Sequence, residues 1–175
     1  MANAVYAGSF DMFTNGHLDV IEQAARIFDN VIILVQNNPT KKRTYTVQSC
    51  INFIALSFLG KDYEDKISIY SSDVPASLYA KEHDCEFVIR GLRNTSDYLY
   101  EEKIANFYKS VCPDVDLIYF KSKYDTVSSS LVKGLLRCGM NPADVANRYL
   151  PFADISALRF QYWEGVVSND YRNNR

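Results

Sequence analysis

At 175 residues the chain has the size of about one domain. Its composition, 47% apolar and 14% aromatic with 19 basic against 21 acidic residues, excludes a disordered, fibrous or collagen-like polymer, and a net charge of −2 argues against general nucleic-acid binding. No apolar run approaches the roughly 18 residues of a membrane helix, and the residues from Met1 to Gly8 lack the basic and apolar regions of a secretory signal, so a cytoplasmic protein with no membrane contact is expected.

Short β-branched runs alternate with longer amphipathic stretches, which predicts βαβ units. The fold class expected is α/β: a Rossmann-like, doubly wound five-stranded parallel sheet with helices on both faces. The first strand is placed at residues 4–7, and Gly8-Ser9-Phe10-Asp11-Met12-Phe13-Thr14-Asn15-Gly16-His17 leads from it into a helix over 17–28. Such a sheet binds anions at that place, because free N–H groups and the positive end of a helix face the ligand. The segment is neither G-x-G-x-x-G nor a P-loop. Gly16 permits close backbone approach, Ser9 offers a hydroxyl, and His17 has its ring available to a phosphoryl oxygen; the plainer alternative is a turn with a capping histidine.

The second strand, 31–36, precedes Thr40-Lys41-Lys42-Arg43 and a helix over 46–59 capped by Thr46. Three cations on a loop are usually a solvated charge run, but at the carboxyl edge of a sheet Lys41 can hold an anion as a point charge. A third strand, 67–71, is followed by a helix over 75–83 that opens on Pro75. The fourth, 87–90, ends in Arg90-Gly91-Leu92-Arg93, before a helix over 96–109 capped by Ser96 and carrying Asp97 and Glu101. Two forked donors around a glycine suit a polyphosphate, whereas Arg93 can instead pair with Asp97 four residues on.

The fifth strand, 117–120, leads through Val127-Ser128-Ser129-Ser130-Leu131-Val132-Lys133 into a helix over 129–138. Capping needs one serine; three beside exposed N–H groups make a phosphate cradle, with a flexible Ser-rich turn as the alternative. Gly139 ends this helix and Pro142 prevents its continuation. One more helix, over 155–162, and a polar end complete the reading. Cys50, Cys85, Cys112 and Cys138, with no C-x-x-C and only His17 and His83 beside them, read as buried free thiols. Right-handed crossovers bring the four chemistry-bearing loops to one edge of the sheet.

With these residues assembled, the chain resembles the bacterial phosphopantetheine adenylyltransferases, a family of H-x-G-H nucleotidyltransferases. The likeness spans residues 5–150 and rests on Gly8-Ser9-Phe10-Asp11, Thr14-Asn15-Gly16-His17, Pro39-Thr40-Lys41-Lys42, Ile89-Arg90-Gly91-Leu92-Arg93 and the triple-serine segment. It implies a nucleotidyltransferase domain over 1–150, with 151–175 a helix and tail of the same domain. The implied reaction is transfer of adenylate from ATP to 4′-phosphopantetheine, giving dephospho-coenzyme A and pyrophosphate. By the same resemblance His17 stabilises the transition state, with Ser9, Lys41 and Arg93 assisting. ATP would meet Ser9, Phe10, His17, Gly91, Leu92, Arg93, Glu101, Tyr124, Ser128, Ser129 and Ser130, and the acceptor would meet Ser9, Lys41, Pro75 and Arg90. Magnesium would arrive with ATP, with no fixed protein ligand; a hexamer is implied, and coenzyme A as a feedback ligand.

Several positions depart from the family pattern. Ser9 stands for a commoner threonine and keeps the hydroxyl. Ala7 and Met12 stand where prolines are frequent, which is expected to loosen the loop. Leu99 replaces a common glutamate, and the loop 121–126 is about two residues short, which bears on Tyr124 as an ATP contact. The aromatics Phe160, Tyr162, Trp163 and Tyr171 are expected at a subunit contact. Two other readings remain: a sister nucleotidyltransferase with another phosphate acceptor, and a non-catalytic nucleotide or coenzyme A binding module.

Overall fold

The computed structural model describes residues 1–37 and 43–151. Five strands, β1 (Asn3–Gly8), β2 (Asn30–Val35), β3 (Ile67–Ser71), β4 (Phe87–Leu92) and β5 (Asp116–Lys121), form one parallel sheet in the order β3-β2-β1-β4-β5. Helices α1 (Asn15–Ala25), α2 (Val47–Phe58), α3 (Ala76–Glu82), α4 (Thr95–Val111), α5 (Ser129–Arg137) and α6 (Pro142–Tyr149) complete the described fold, with one 3₁₀ turn before β3. The predicted fold class holds, and the 67–71 strand falls where the sequence placed it.

The strands alternate their side chains between two cores. Ala4, Tyr6, Ile33 and Ile89 pack under α1, α2, α5 and α6 on one face, while Val5, Ala7, Leu34 and Val88 pack under α3 and α4 on the other. The chain order runs outward from β1 through β2 to β3, then returns to β4 beside β1. Helices α1 and α2 cover the first face and α3 and α4 the second, as a single crossover hand requires. The reversal puts the topological switch between β1 and β4, so a ligand crevice opens between the loops that follow them.

Two local expectations are corrected, and one helix is added. Asn94, not Ser96, caps α4, its side chain accepting from the Asp97 N–H at 3.0 Å. The 129–138 helix ends before Gly139 and Pro142 as expected, but Pro142 also opens a further helix that the sequence reading did not place: Asn141 caps α6 and the proline occupies the first turn, where its missing N–H has no intrahelical partner to lose. Cys50, Cys85 and Cys112 are buried as free thiols, but Cys138 is exposed, because it sits just past the last turn of α5 before Gly139 at φ 81°. The helix expected over 155–162 and the tail aromatics lie outside the described residues.

Candidate active site

The loop joining β1 to α1 is the centre of the arrangement. Thr14 caps α1, and its backbone N–H donates to His17 Nδ1 at 3.1 Å, while its hydroxyl lies 3.1 Å from the same nitrogen. His17 thus takes the place that glutamate or glutamine holds in a capping box. A nitrogen that accepts from a main-chain N–H carries no proton, so the neutral ring is protonated on Nε2, which has no hydrogen-bond partner among the described residues. The ring stacks on Phe13 at 5.7 Å and meets Phe10 edge-on at 5.3 Å. Burial in this apolar setting, with the Arg93 charge adding to it, pushes the imidazole down to about 4. At neutral pH His17 is an uncharged N–H donor at the positive end of a helix.

The turn before it is strained. Phe10 at φ 43° and Met12 at φ 109° occupy backbone regions that bulky residues seldom adopt, and both side chains are buried. The Met12 N–H donates to Phe10 O at 2.9 Å. A proline at 12 could adopt neither that φ nor that bond, so methionine there sets a particular turn instead of loosening the loop.

Long-range polar contacts hold the turn. Asp11 accepts from the N–H groups of Thr44 and Tyr45 at 2.9–3.0 Å and pairs with Lys133 of α5. Burial acts to raise this carboxyl, but the Lys133 and backbone hydrogen bonds win and hold it below the usual value. Ser129 Oγ donates to Met12 O at 2.8 Å. Asp19 of α1 accepts from the Lys123 N–H at 2.9 Å and so anchors the loop after β5. Residues 11 and 133 are distant in sequence with no local pattern to join them, and the sequence reading missed the pair.

Across the crevice, α4 holds both arginines of Arg90-Gly91-Leu92-Arg93. Arg90 Nε and Nη2 donate to the two Glu101 oxygens at 2.6 and 2.8 Å, and Nη1 reaches Ala7 O at 3.4 Å. Three of its five N–H groups are so committed, leaving one on each terminal nitrogen for an anion. Arg93 Nε and Nη2 donate to Asp97 at 2.8 and 3.0 Å. Gly91 lies where an added Cβ would come 3.1 Å from Val20 Cγ2 and 3.2 Å from the Tyr6 hydroxyl, so no side chain intervenes there.

The family model for cytidylyltransferase-like proteins matches residues 5–135. The phosphopantetheine adenylyltransferase of Synechococcus elongatus is 32% identical over 170 residues, 96% of this chain and 98% of that protein. Its namesake from Carboxydothermus hydrogenoformans is 38% identical over 141 residues, covering 79% and 85%. The chain belongs to the phosphopantetheine adenylyltransferase family. Among solved structures, the nicotinic acid mononucleotide adenylyltransferase of Plasmodium falciparum complexed with NaAD superposes with a TM-score of 0.66 at 14% identity, covering 100% of this chain and 99% of that one. A bifunctional NMN adenylyltransferase/ADP ribose pyrophosphatase of Francisella tularensis gives 0.67 at 17% identity, covering 97% of this chain and 53% of that one. These two likenesses bear on fold alone.

Within this phosphopantetheine adenylyltransferase fold the site residues predicted from sequence fall into distinct groups. Ser9 is exposed just past the end of β1, its carbonyl accepting from Arg43 Nη2 at 2.8 Å, and Gly91 and Leu92 close β4. Phe10 is buried at 2% exposure, so its ring supports His17 and the residue offers almost no surface to a nucleotide. Ser128 caps α5 by accepting from the Leu131 N–H at 3.0 Å, Ser129 is spent on Met12, and Ser130 is left exposed. Glu101 has both oxygens on Arg90, and Arg93 takes the Asp97 pairing that the spacing allowed. Pro75 caps α3 and is exposed, with the neighbouring Val74 O bonded to Gln36 Nε2 at 2.6 Å. Tyr124 lies under Lys123 Nζ at 5.2 Å. Lys41 lies outside the described residues.

Proposed function

We propose that this protein transfers adenylate from ATP to 4′-phosphopantetheine, forming dephospho-coenzyme A and releasing pyrophosphate. Family membership supports the reaction, and the neutral, Nε2-protonated His17 in the crevice between β1 and β4 is the observation that carries the mechanism. A phosphate monoester with a second pKa near ~6 is already an anionic nucleophile at neutral pH, so no general base is needed. Its oxygen attacks the α-phosphorus of ATP, the bond to the β-phosphate oxygen breaks, and pyrophosphate departs. The protein's tasks are to hold two repelling anions in line and to meet the charge that grows on the α-phosphoryl oxygens.

In this reading His17 Nε2–H donates to that oxygen in the transition state. Ser9 bridges acceptor and nucleotide, while Lys41 and the two uncommitted N–H groups of Arg90 hold the acceptor phosphate, with Pro75 beside its pantetheine arm. Gly91, Leu92, Arg93, Tyr124, Ser128, Ser129, Ser130 and the Arg90-bound Glu101 line the ATP side, with Phe10 packed behind His17. The nearest carboxylates, Asp11, Asp97 and Glu101, are each neutralised by a protein cation, so the donor set suits a magnesium ion carried on ATP phosphate oxygens and water rather than a protein cage. Such an ion supplies further neutralisation of phosphate charge. A hexameric assembly and coenzyme A as a feedback ligand belong to the same proposal. Among the described residues no helix is long and apolar enough to cross a membrane.

Pyrophosphate release from the purified chain with MgATP, with and without 4′-phosphopantetheine and with a His17→Ala control, tests the reading. Acceptor-dependent release lost in the variant is expected. Release that instead follows CTP or nicotinate mononucleotide would reassign the substrate, and tight ATP or coenzyme A binding without release would mark a non-catalytic module.

A further inference from the structure

Of the cations in Thr40-Lys41-Lys42-Arg43, Arg43 is the one that falls among the described residues, and it is not a solvated charge. Its Nη1 donates to Gln36 O at 3.0 Å, its Nη2 to Ser9 O at 2.8 Å and to Cys50 Sγ at 3.2 Å, and its Nε to Tyr45 O at 3.1 Å. One guanidinium thus joins the turn after β1, the chain just past β2, its own strand of loop and the first turn of α2. Beside it the Gln36 N–H donates to Gly8 O at 2.8 Å, and Asp11 takes the N–H groups of Thr44 and Tyr45.

Ser9 needs such a hold. It follows the last residue of β1 and precedes Phe10 at φ 43°, so neither strand nor helix fixes its peptide, and the bond from Arg43 is the one its carbonyl accepts among the described residues. We propose that Arg43 is a positioning residue: by gripping the Ser9 carbonyl from the loop before α2, it sets the Ser9 hydroxyl toward the acceptor phosphate. This rests on the adenylyltransferase reading above. A planar fork with donors on three nitrogens reaches acceptors in several directions at once; the single nitrogen of lysine does not.

The test is a double-mutant cycle between Arg43→Lys and Ser9→Ala, read as kcat/KM for 4′-phosphopantetheine at saturating MgATP. Arg43→Lys is expected to lower it about tenfold, the equivalent of losing about one charge-assisted hydrogen bond, and by less than about threefold when Ser9 is already alanine. Equal losses in both backgrounds, or none, overturn the proposal, since a merely structural arginine costs the same with or without the serine hydroxyl. Arg43→Gln, which keeps two donors, stands in should the lysine variant fold poorly. A second readout needs no turnover: deuterium exchange of the Gln36 amide should quicken about tenfold in Arg43→Lys, and unchanged exchange overturns the proposal even if the unaltered chain releases no pyrophosphate. That last absence, by contrast, would fall on the assigned reaction.

Discussion

The neutrality of His17 is open to a direct titration. The imidazole has an ordinary value of 6.5 and stands at about 4 in the folded chain, chiefly through burial and secondarily through Arg93. A folded value below the unfolded one means that, as pH falls below about 6.5, the unfolded chain takes up a proton that the folded chain refuses. The stability contribution is therefore complete above about 6.5 and lost progressively until about 4, where the folded form also protonates. The 2.5-unit gap corresponds to about 3 kcal/mol at most. His17→Gln keeps a side-chain N–H but removes the titration, so urea unfolding between pH 7.5 and 4 should cost the unaltered chain about 3 kcal/mol more than the variant. In parallel, NMR of a His83→Gln variant, which leaves one histidine, should show a midpoint near 4 and the Nε2–H tautomer. A midpoint above 6, or a proton on Nδ1, would refute the argument from the Thr14 N–H and with it the donor role assigned to Nε2.

Two further outcomes follow from the other side of the crevice. Glu101→Ala leaves Arg90 charged and mostly buried, with side-chain exposures of 17% for Arg90 and 10% for Glu101, and should destabilise by about 3 kcal/mol in urea; Asp97→Ala, which breaks the more exposed Arg93 pair, should cost under about 1 kcal/mol. Equal costs would mean that the Arg90–Glu101 pair is no more than a surface contact. Gly91→Ala should lose about 1–2 kcal/mol because Val20 and Tyr6 are packed too tightly to yield, and adding Tyr6→Phe, which deletes the crowding hydroxyl, should restore part of it in thermal unfolding.

The α/β class, the strand-helix alternation and the segments that carry chemistry were legible in the sequence because each rests on local signals: period, punctuation, and the type of residue at the carboxyl end of a strand. Local signals misled where one residue type serves two purposes. Pro142 both follows the end of α5 and occupies the first turn of α6, and the reading used only the first of these roles because the Asn141 cap beside it went unread. Ser128, Ser129 and Ser130 look alike in sequence, yet one caps a helix, one ties down Met12, and one stays free.

What the sequence by itself determined is the inventory at one sheet edge: His17 at the start of α1, two arginines closing β4, serines opening α5, and the family to which that set belongs. The tertiary structure decided the state of each group. Arg90 keeps two uncommitted N–H groups rather than five because Glu101, eleven residues on, and Ala7 O take the rest of its fork, and Asp11 finds Lys133 only because the fold brings α5 over the first loop. His17 is neutral because Phe10 and Phe13 close around it and Arg93 stands near. Protonation, orientation and partner choice depend on distances in space, which hydrophobic periodicity and motif spacing do not encode.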